Sequence, residues 1–516
     1  MTRSTSTPGT LTSIALDTLH SPKFCSTPGN TTSDIQEDMD FDPVPEDMVF
    51  EHNDHSISDY DEAEEEAEIF ESMQPKIADL MVKQFNVNRE QVKVEYMQGG
   101  SFNRIAGITI APKPAKTLMQ WLTLLFSSWR SNISTKDSGP ETIKPRFWDW
   151  LKALFVGGQT NVLTTQAGTY VVRTPRHTEM LTEEDVEDVV GPDVTILKCV
   201  GASLNVPVPK VIDYSLSLQN VLEQPYMVLD RLPGQSLGDL WETLNIAQKK
   251  SVAKRLIDLL SEIAAVEAPP GNIIASKTGV AQELITEKYC VPPRGSKVKN
   301  FVKPKTWVAD YQTAAEHLLE QCDRWREYQT IDGWCFKNIW FGFSAIARSL
   351  QRRGFLEGPC VLVHADLREY NMLAEVRSDT EVEITGILDW DSAIVAPEFM
   401  AYRAPFWMWL PVDMESVTAN GEDKANFEPV TNEDREVKQF FVDNASAKYN
   451  RYAFAPEAML ARRMYVLLKD GVFGTWEFDE ATKVIQEWDI LHPEDLVVLE
   501  ESDSEFSSDD DSDDES

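Results

Sequence analysis

The chain has 516 residues, which is too long for one small domain and long enough for a two-lobed protein with a large core. Its formal net charge is −37, and the ends carry most of it: residues 1–72 hold 18 acidic against two basic side chains, and residues 500–516 hold ten acidic and no basic ones. This distribution argues against nucleic acid as a partner, because phosphate neutralisation needs clustered lysine and arginine.

Both ends lack the apolar density that a core requires, so residues 1–72 and 499–516 are predicted to be disordered tails. Serines among the C-terminal acids are candidates for phosphorylation by an acid-directed kinase, and a solvated tail without a specific role is the alternative. The six cysteines are scattered without metal spacing, which is typical of free thiols in a reducing compartment. Residues 1–30 show no signal pattern, and no apolar run approaches the roughly 18 residues of a membrane span. We therefore expect a cytoplasmic protein, with the nucleus as a second possibility.

The first predicted elements are a helix and three strands. Apolar residues at helical spacing predict that order begins near Ile69–Phe85. Val92–Met97 and Arg104–Ile110 are predicted to form a hairpin closed by Gly99–Asn103, and Thr169–Arg173 is predicted to be a third strand.

Helical patterns dominate the second half of the chain. A helix over Asp193–Val200 and strands over Lys210–Tyr214 and Pro225–Arg231 complete the first half. From Pro233 onward the patterns are mainly helical, for example over Ala247–Val266 and Trp307–Arg326. The exception is three short predicted strands, Val361–Val363, Met372–Ala374 and Glu383–Leu388. The segregation predicts an α+β fold of two lobes, with a small antiparallel sheet in residues 73–232 and a mostly helical lobe in residues 233–498.

The glycine turn is a candidate phosphate cradle. Gly99, Gly100, Ser101 and Asn103 lie where a hairpin turn would place backbone N–H groups, and glycine permits close approach of a ligand. By itself a Gly-Gly pair also fits an ordinary hairpin turn.

The third strand and the helix after it offer a second set of ligand contacts. Strand alternation places Val171 and Arg173 on one face, where Val171 would cover an adenine and Arg173 would bind phosphates. The alternative for Arg173 is a solvent-facing strand residue. Asp193 lies where an acidic partner of Arg173 is expected, and an exposed helix N-cap is its alternative.

The segment around Leu229 and Arg231 precedes Pro233-Gly234 and has the character of a hinge between lobes. Its backbone groups would pair with adenine there. An ordinary buried strand is the alternative.

The most specific pattern is His364–Asn371, followed by Asp389. Apolar strands deliver Asp366 and Asp389 to loops, where a buried acid is costly unless a cation or hydrogen bonds compensate. Asp366, Asn371 five residues later, and Asp389 stand in the order that phosphoryl transfer from ATP uses. Asp366 would accept the proton of a hydroxyl, while Asn371 and Asp389 would hold Mg²⁺. Two coincidental turn aspartates are the alternative.

Three neighbours of this pattern are predicted to support it. Arg368 is predicted to reach the γ-phosphate, with a surface arginine as the alternative. His364 is predicted to fix the loop through hydrogen bonds. Asp391 fits a second carboxylate facing metal or substrate, and also a simple cap.

These motifs resemble the aminoglycoside phosphotransferase and choline kinase-like superfamily, especially its fungal phosphotransferase branch. The resemblance covers roughly residues 73–490 without the segment 111–158, and it depends on the segments Gln98–Asn103, Tyr170–Pro175, Val206–Lys210, His364–Asn371 and Ile387–Asp391. It implies a protein kinase-like fold and transfer of phosphate from ATP with Mg²⁺ to a hydroxyl of a small-molecule acceptor. Asp366 would be the base, Asn371 and Asp389 the metal ligands. A non-catalytic kinase-like scaffold that binds nucleotide or a partner is the second hypothesis.

Residues 111–158 interrupt the small lobe and carry seven basic against three acidic side chains, a net charge of +4. Two apolar, aromatic segments lie within it, Leu118–Trp129 and Phe147–Val156. They fit helices packed on the small lobe, a weak contact with a membrane surface, or a docking site for an acidic tail.

Overall fold

The computed structural model describes residues 59–97, 99, 102–112, 167–176, 183–275, 284–292, 307–332 and 337–495. The predictions for Gly100, Ser101, residues 113–158 and most of both tails lie outside this part of the chain. The described ranges form a small antiparallel sheet with a long helix and a larger, mostly helical region, so the predicted α+β fold of two lobes is confirmed.

The small lobe is built on a five-stranded antiparallel sheet in the order β1-β2-β3-β5-β4. Its strands are β1 Val92–Met97, β2 Asn103–Ile110, β3 Gly168–Pro175, β4 Val211–Ser215 and β5 Tyr226–Asp230. Helix α1, Asp59–Phe85, packs Ile77 and Met81 into the same core as Ile108 and Val172. The sheet therefore has one face covered by α1, while its other face is available to the cleft.

Helix α1 begins at Asp59, earlier than the predicted start of order near Ile69, so residues 59–72 are helical rather than a disordered tail. Alanine and glutamate fill this stretch, and both are strong helix formers. The acidic composition that suggested disorder is thus compatible with helical turns that continue into the packed part of α1.

Helix α2, Glu183–Ser203, connects the sheet to the large lobe. It starts ten residues before the predicted start at Asp193, and Pro192 lies inside it. Proline usually marks the first turn of a helix, which explains the late prediction. Val194 and Leu197 of α2 are buried in the core of the large lobe, so Asp193 sits at the boundary of the two lobes.

The large lobe contains two further small sheets. The first has the order β11-β10-β6 and the second has the order β8-β7-β12-β9. Their strands are β6 Gln235–Ser236, β7 Gly271–Ile273, β8 Thr286–Glu287, β9 Cys360–Val363, β10 Met372–Ser378, β11 Glu381–Ile387 and β12 Ile394–Pro397.

The helices of the large lobe surround these sheets. In chain order they are α3 Leu237–Trp241, α4 Ile246–Ile263, α5 Ala314–Asp332, α6 Lys337–Arg352, α7 Glu398–Ala401, α8 Asn432–Asn444, α9 Ala447–Phe454, α10 Pro456–Asp470 and α11 Thr475–Leu491. None of the helices in the described part of the chain combines the length and the hydropathy that a membrane crossing needs.

Helix α5 begins at Ala314 rather than at the predicted Trp307. A capping box sets this start: Glu316 Oε2 accepts from the Thr313 N–H at 2.9 Å, and Thr313 Oγ1 accepts from the Glu316 N–H at 3.2 Å. Val308 instead forms a β-bridge with Glu287. Apolar spacing alone did not reveal this boundary.

Candidate active site

Two buried strands deliver the central carboxylates to neighbouring loops. All four residues of β9 are buried, and the chain leaves it through His364 to Asp366. Strand β11 ends at Ile387, and Asp389 follows two residues later. Because the strands are fixed in the core, the loops that follow them start from fixed points.

Hydrogen bonds lock these two loops to each other. The Asn371 amide donates to the Asp366 backbone carbonyl at 2.8 Å and to Asp366 Oδ2 at 3.1 Å. The Leu388 N–H donates to the Asn371 carbonyl at 2.8 Å, and His364 Nε2 lies 2.9 Å from the Leu388 carbonyl. These bonds fix the two loops that carry Asp366, Asn371 and Asp389 relative to each other.

The His364 ring is held in place beside the second loop. Its ring is buried against Trp390, with ring centroids 4.6 Å apart. Burial lowers the pKa of His364 to about 4, so the imidazole is neutral near pH 7. A neutral ring bonded to a backbone carbonyl agrees with the predicted structural role.

Both loops contain a residue with a left-handed backbone. Ala365 has φ 64° and Asp389 has φ 61°, and neither is a glycine. Such conformations cost on the order of 1–3 kcal/mol each and cluster at functional sites, where the surrounding structure maintains them. No sequence signal marks either position.

The small lobe contributes Arg173, which reaches across the cleft. Its Nη2 lies 3.3 Å from Asp193 Oδ2 and forms a still closer ion pair with Asp391 Oδ2. The Asn103 amide also donates to Asp391, at 3.1 Å. The structure thus brings Arg173, Asp193, Asn103 and Asp391 together, and the N-cap alternative for Asp193 is wrong, since Asp193 lies inside α2 and is buried.

Carboxylates outnumber cations around Arg173. Burial and the neighbouring Asp391 raise the pKa of Asp193 to about 7, and burial together with Asp391 also raises the pKa of Asp389. Although burial opposes it, the ion pair with Asp391 raises the pKa of Arg173. One guanidinium therefore faces several carboxylates, and a further cation would relieve their repulsion.

The donors near Asp389 fit a shared Mg²⁺ better than a closed metal cage. Among the described residues, no group of three or more His, Cys, Asp or Glu side chains could hold a metal by itself. Mg²⁺ is commonly held by one or two carboxylates together with substrate phosphates and water. Asn371 and Asp389, beside the excess negative charge, match that incomplete donor set.

Two cavities meet at the loop that contains Asp366. The larger, of about 940 Å³, extends from Asn103 and Asp193 past Asp391 towards α10. The smaller, of about 200 Å³, is lined by apolar side chains of α4 and by Phe406 and Trp407. Asp366 and Arg368 line both cavities, and Arg368 Nε lies 3.1 Å from Asp366 Oδ1.

The two predicted hinge residues, Leu229 and Arg231, have different surroundings. Leu229 is buried in β5 and lies opposite Val171 in the strand register, so these two share the sheet next to Arg173. The Arg231 guanidinium instead pairs with Glu95 Oε1 at 2.7 Å, while the backbone N–H of Arg231 donates to the Thr169 carbonyl at 3.1 Å. The structure does not bring the Arg231 side chain into the network around Asp366.

The turn at Gly99 is tight. A Cβ atom at this position would collide with the carbonyl oxygen of Asn103, so the chain folds back more closely than a larger residue permits. This is the local reason for a glycine at the start of the predicted phosphate cradle.

A second charged cluster lies on the cavity wall and was not predicted from the sequence. Arg403 and Arg462 converge on Glu422, with Nε to carboxylate distances of 3.1 Å and 2.6 Å. The three residues are far apart in sequence, and none belongs to a recognisable motif. Only the tertiary structure identifies the group.

A comparison with protein families finds a match to part of the chain. The model of the "Phosphotransferase enzyme family" matches residues 154–399, a range that contains Arg173, Asp193 and the loops of Asp366 and Asp389. The predicted resemblance to the aminoglycoside phosphotransferase superfamily is thereby confirmed for this part of the chain. No curated protein matches the chain.

Solved structures give distant likenesses. Aminoglycoside phosphotransferase APH(4)-Ia is 13% identical over 81% of this chain and 98% of its own, with a TM-score of 0.38. A thermostable mutant of that enzyme, in a ternary complex with ADP and hygromycin B, is 15% identical over 81% and 97%, with a TM-score of 0.37. The GDP and kanamycin complex of APH(2")-IIia is 14% identical over 81% and 97%, with a TM-score of 0.34. At such TM-scores, ligands and acceptors have to be argued from the residues of this chain.

Proposed function

We propose that this chain, which resembles the phosphotransferase enzyme family over residues 154–399, transfers the γ-phosphoryl group of ATP, bound with Mg²⁺, to a hydroxyl of a small molecule. The observation that supports this most is the hydrogen-bonded lock between the two loops, which sets Asp366, Asn371 and Asp389 at fixed positions beside Arg173. Phosphoryl transfer depends mainly on positioning and electrostatics, and such a lock supplies positioning.

In this proposal Asp366 accepts a proton from the acceptor hydroxyl. The acceptor hydroxyl oxygen bonds to the γ-phosphorus, the bond from that phosphorus to the oxygen bridging to the β-phosphate breaks, and ADP leaves. Asp366 takes the hydroxyl proton, which requires a carboxylate that is ionised and accessible. Arg368, in contact with Asp366 Oδ1, is suited to contact the transferred phosphoryl group.

Asn371 and Asp389 would hold the metal ion. When bound there, Mg²⁺ would supply positive charge to the phosphates during the transfer. The raised pKa of Asp389 reflects burial beside other carboxylates, which is the electrostatic setting that a cation stabilises.

Arg173 would anchor the phosphates from the small lobe. Asp193 holds its guanidinium at 3.3 Å, and Asp391 binds the same Nη2 atom. A nucleotide phosphate would compete with Asp391 for Arg173, and Asp391 would then turn towards the metal. Gly99 and Asn103 would cover the phosphates, and Val171 and Leu229 would contact the adenine.

The second hypothesis, a non-catalytic scaffold, has one observation in its favour. Arg173 is already bound to Asp193 and Asp391, so its positive charge is compensated without a nucleotide. A protein that had lost catalysis would have no need to break this network.

An ADP-release assay with hydroxylated metabolites separates the two hypotheses. We expect Mg-dependent turnover with an acceptor in the wild type and its loss in Asp366→Asn. Mg-dependent ATP binding should also disappear in Asp389→Ala. Equal ADP release from the wild type and Asp366→Asn would remove Asp366 as the base and favour the scaffold.

A further inference from the structure

We propose that the acceptor is an anionic hydroxy compound, whose carboxylate or phosphate group is bound by Arg403. This inference rests on the proposed function, since it assumes that the acceptor hydroxyl lies at Asp366. It goes further by naming the chemical class of the acceptor and a residue that selects it.

Arg403 stands at the junction of the two cavities. The residues that line both cavities are Ala365, Asp366, Arg368, Met400 and Arg403. Any acceptor with its hydroxyl at Asp366 therefore lies within reach of this wall. Arg368 already contacts Asp366, which leaves Arg403 as the second cation of the junction.

The guanidinium of Arg403 is held in place and still has hydrogen-bond donors available to a ligand. Its Nε lies 3.1 Å from Glu422 Oε1, and its Nη2 donates to the Asn420 carbonyl. Among the described residues, its Nη1 group has no hydrogen-bond partner, and 32% of the side chain is exposed. A fixed, partly exposed guanidinium with spare donors matches the requirement for carboxylate or phosphate recognition.

The support behind Arg403 carries excess positive charge. Glu422 also binds Arg462 Nε at 2.6 Å, and the side chains of Arg462 and Glu422 are only 3% and 6% exposed. Arg462 Nη1 donates to the carbonyls of Phe399 at 3.0 Å and Tyr452 at 2.8 Å, while its Nη2 is buried without a hydrogen-bond partner among the described residues. Two guanidinium groups thus share one carboxylate, and a bound anion would restore neutrality.

A cationic acceptor would find no comparable partner on this wall. Every carboxylate lining the larger cavity already has a contact among the described residues: Asp193 and Asp391 with Arg173, Asp366 with Arg368, Glu422 with Arg403, Asp470 with Lys469, and Glu287 with a partner of its own. An amino group would have to displace these partners, and at Asp193 and Glu422 this would leave the buried Arg173 or Arg462 uncompensated, which is costly. The charge arrangement therefore selects anions over polycations.

The test is a binding experiment with matched probes on the full chain saturated with Mg·ADP. Galacturonate with galactose, and glycerate with glycerol, differ by a carboxylate, while kanamycin supplies a polycation. We expect at least one acid to raise the melting temperature more than its neutral partner. Arg403→Gln should weaken the apparent affinity for that acid at least tenfold, and Arg403→Lys should restore part of it.

Arg451→Gln is the matched control. Arg451 also binds backbone carbonyls, those of Arg353 and Gly354, but lines neither cavity, so the acid should bind this variant as it binds the wild type. Three results would each overturn the inference: no acid exceeds its neutral partner, kanamycin binds better than the acids, or Arg403→Gln binds the acid unchanged.

Binding of Mg·ADP and turnover together distinguish a failure of the anionic acceptor from a failure of the proposed phosphotransferase function. If Mg·ADP itself fails to stabilise the wild type, the proposed function is lost, whereas the dependence of acid binding on Arg403 is read without nucleotide. If a neutral or cationic hydroxy compound is phosphorylated and no acid is, the function stands and the anionic acceptor is wrong. For a phosphorylated acid, Arg403→Gln should raise KM rather than mainly lower kcat.

Discussion

Two charged clusters face the larger cavity with opposite imbalances. Around Arg173, one guanidinium meets the carboxylates of Asp193 and Asp391, and Asp389 adds to their field. Around Glu422, one carboxylate meets the guanidinium groups of Arg403 and Arg462. The first cluster lacks positive charge and the second lacks negative charge.

The opposite imbalances suit a cleft that binds two substrates of different charge. Buried charges are stable only when they are compensated, so each imbalance indicates the sign of what binds there. A metal ion would complete the acidic cluster, and an anionic acceptor would complete the basic cluster. Asp366 lies between the two, where a hydroxyl would meet a phosphoryl group.

The largest expected effect is on the chemistry between the clusters. Asp366→Asn keeps the shape of the side chain but removes the proton acceptor, and we expect kcat to fall by about 10²- to 10⁴-fold. Steady-state ADP release with a confirmed acceptor measures this. The control is Asp379→Asn, an exposed turn residue, which should keep wild-type turnover. A kcat within about twofold of the wild type would place the base elsewhere.

The next effect tests the basic cluster through stability. Glu422→Gln leaves Arg403 and Arg462 without their carboxylate, and removing one partner of a buried pair costs about 3–5 kcal/mol. Urea denaturation should show this loss in the free energy of unfolding. Glu415→Gln changes an exposed glutamate and should have little effect. If Glu422→Gln costs no more than Glu415→Gln, the cluster does not hold the wall in place.

A third effect tests the acidic cluster through its metal. At a nucleotide concentration of 100 times Kd, binding stabilises a protein by about 2.7 kcal/mol. We expect Mg²⁺ to add to the stabilisation by ADP in the wild type and not in Asp389→Ala, because the variant lacks a metal ligand. Thermal unfolding with ADP, with and without Mg²⁺, measures the difference. An undiminished Mg²⁺ effect in the variant would contradict the assignment of Asp389.

The acidic cluster was predictable in large part and the basic one was not. Asp366 and Asp389 come shortly after apolar strands, and Asn371 follows Asp366 at a spacing that the chemistry constrains, so the sequence contains the pattern of the residues next to this cluster. Arg173 and Asp193 could be paired from strand alternation and helix position, although the start of α2 was predicted too late because Pro192 lies inside the helix.

The basic cluster joins three positions by tertiary contacts alone. Arg403 follows α7, Glu422 lies in the short helical turns of Ala419–Asn426, and Arg462 lies in α10. A lone arginine or glutamate on a helix is usually an exposed residue. Nothing local distinguishes these three from solvated charges, and their burial depends on how distant helices pack.

The smallest expected effect concerns the proton balance of the acidic cluster. Burial and Asp391 raise the pKa of Asp193 to about 7, above the ordinary value of 3.8. A raised carboxyl pKa means that the folded state binds the proton more tightly than the unfolded state, so this contribution to stability is complete below pH 4 and is lost as the pH rises through about 7. The loss cannot exceed about 1.4 kcal/mol per pH unit for one proton.

Asp193→Asn removes the titrating group, and we expect its melting temperature to fall less than that of the wild type between pH 5 and about 7. Asp379→Asn should follow the wild type. Parallel curves for the wild type and Asp193→Asn would mean that Asp193 stays ionised, with Arg173 compensating its charge more fully than the crowding of carboxylates suggests.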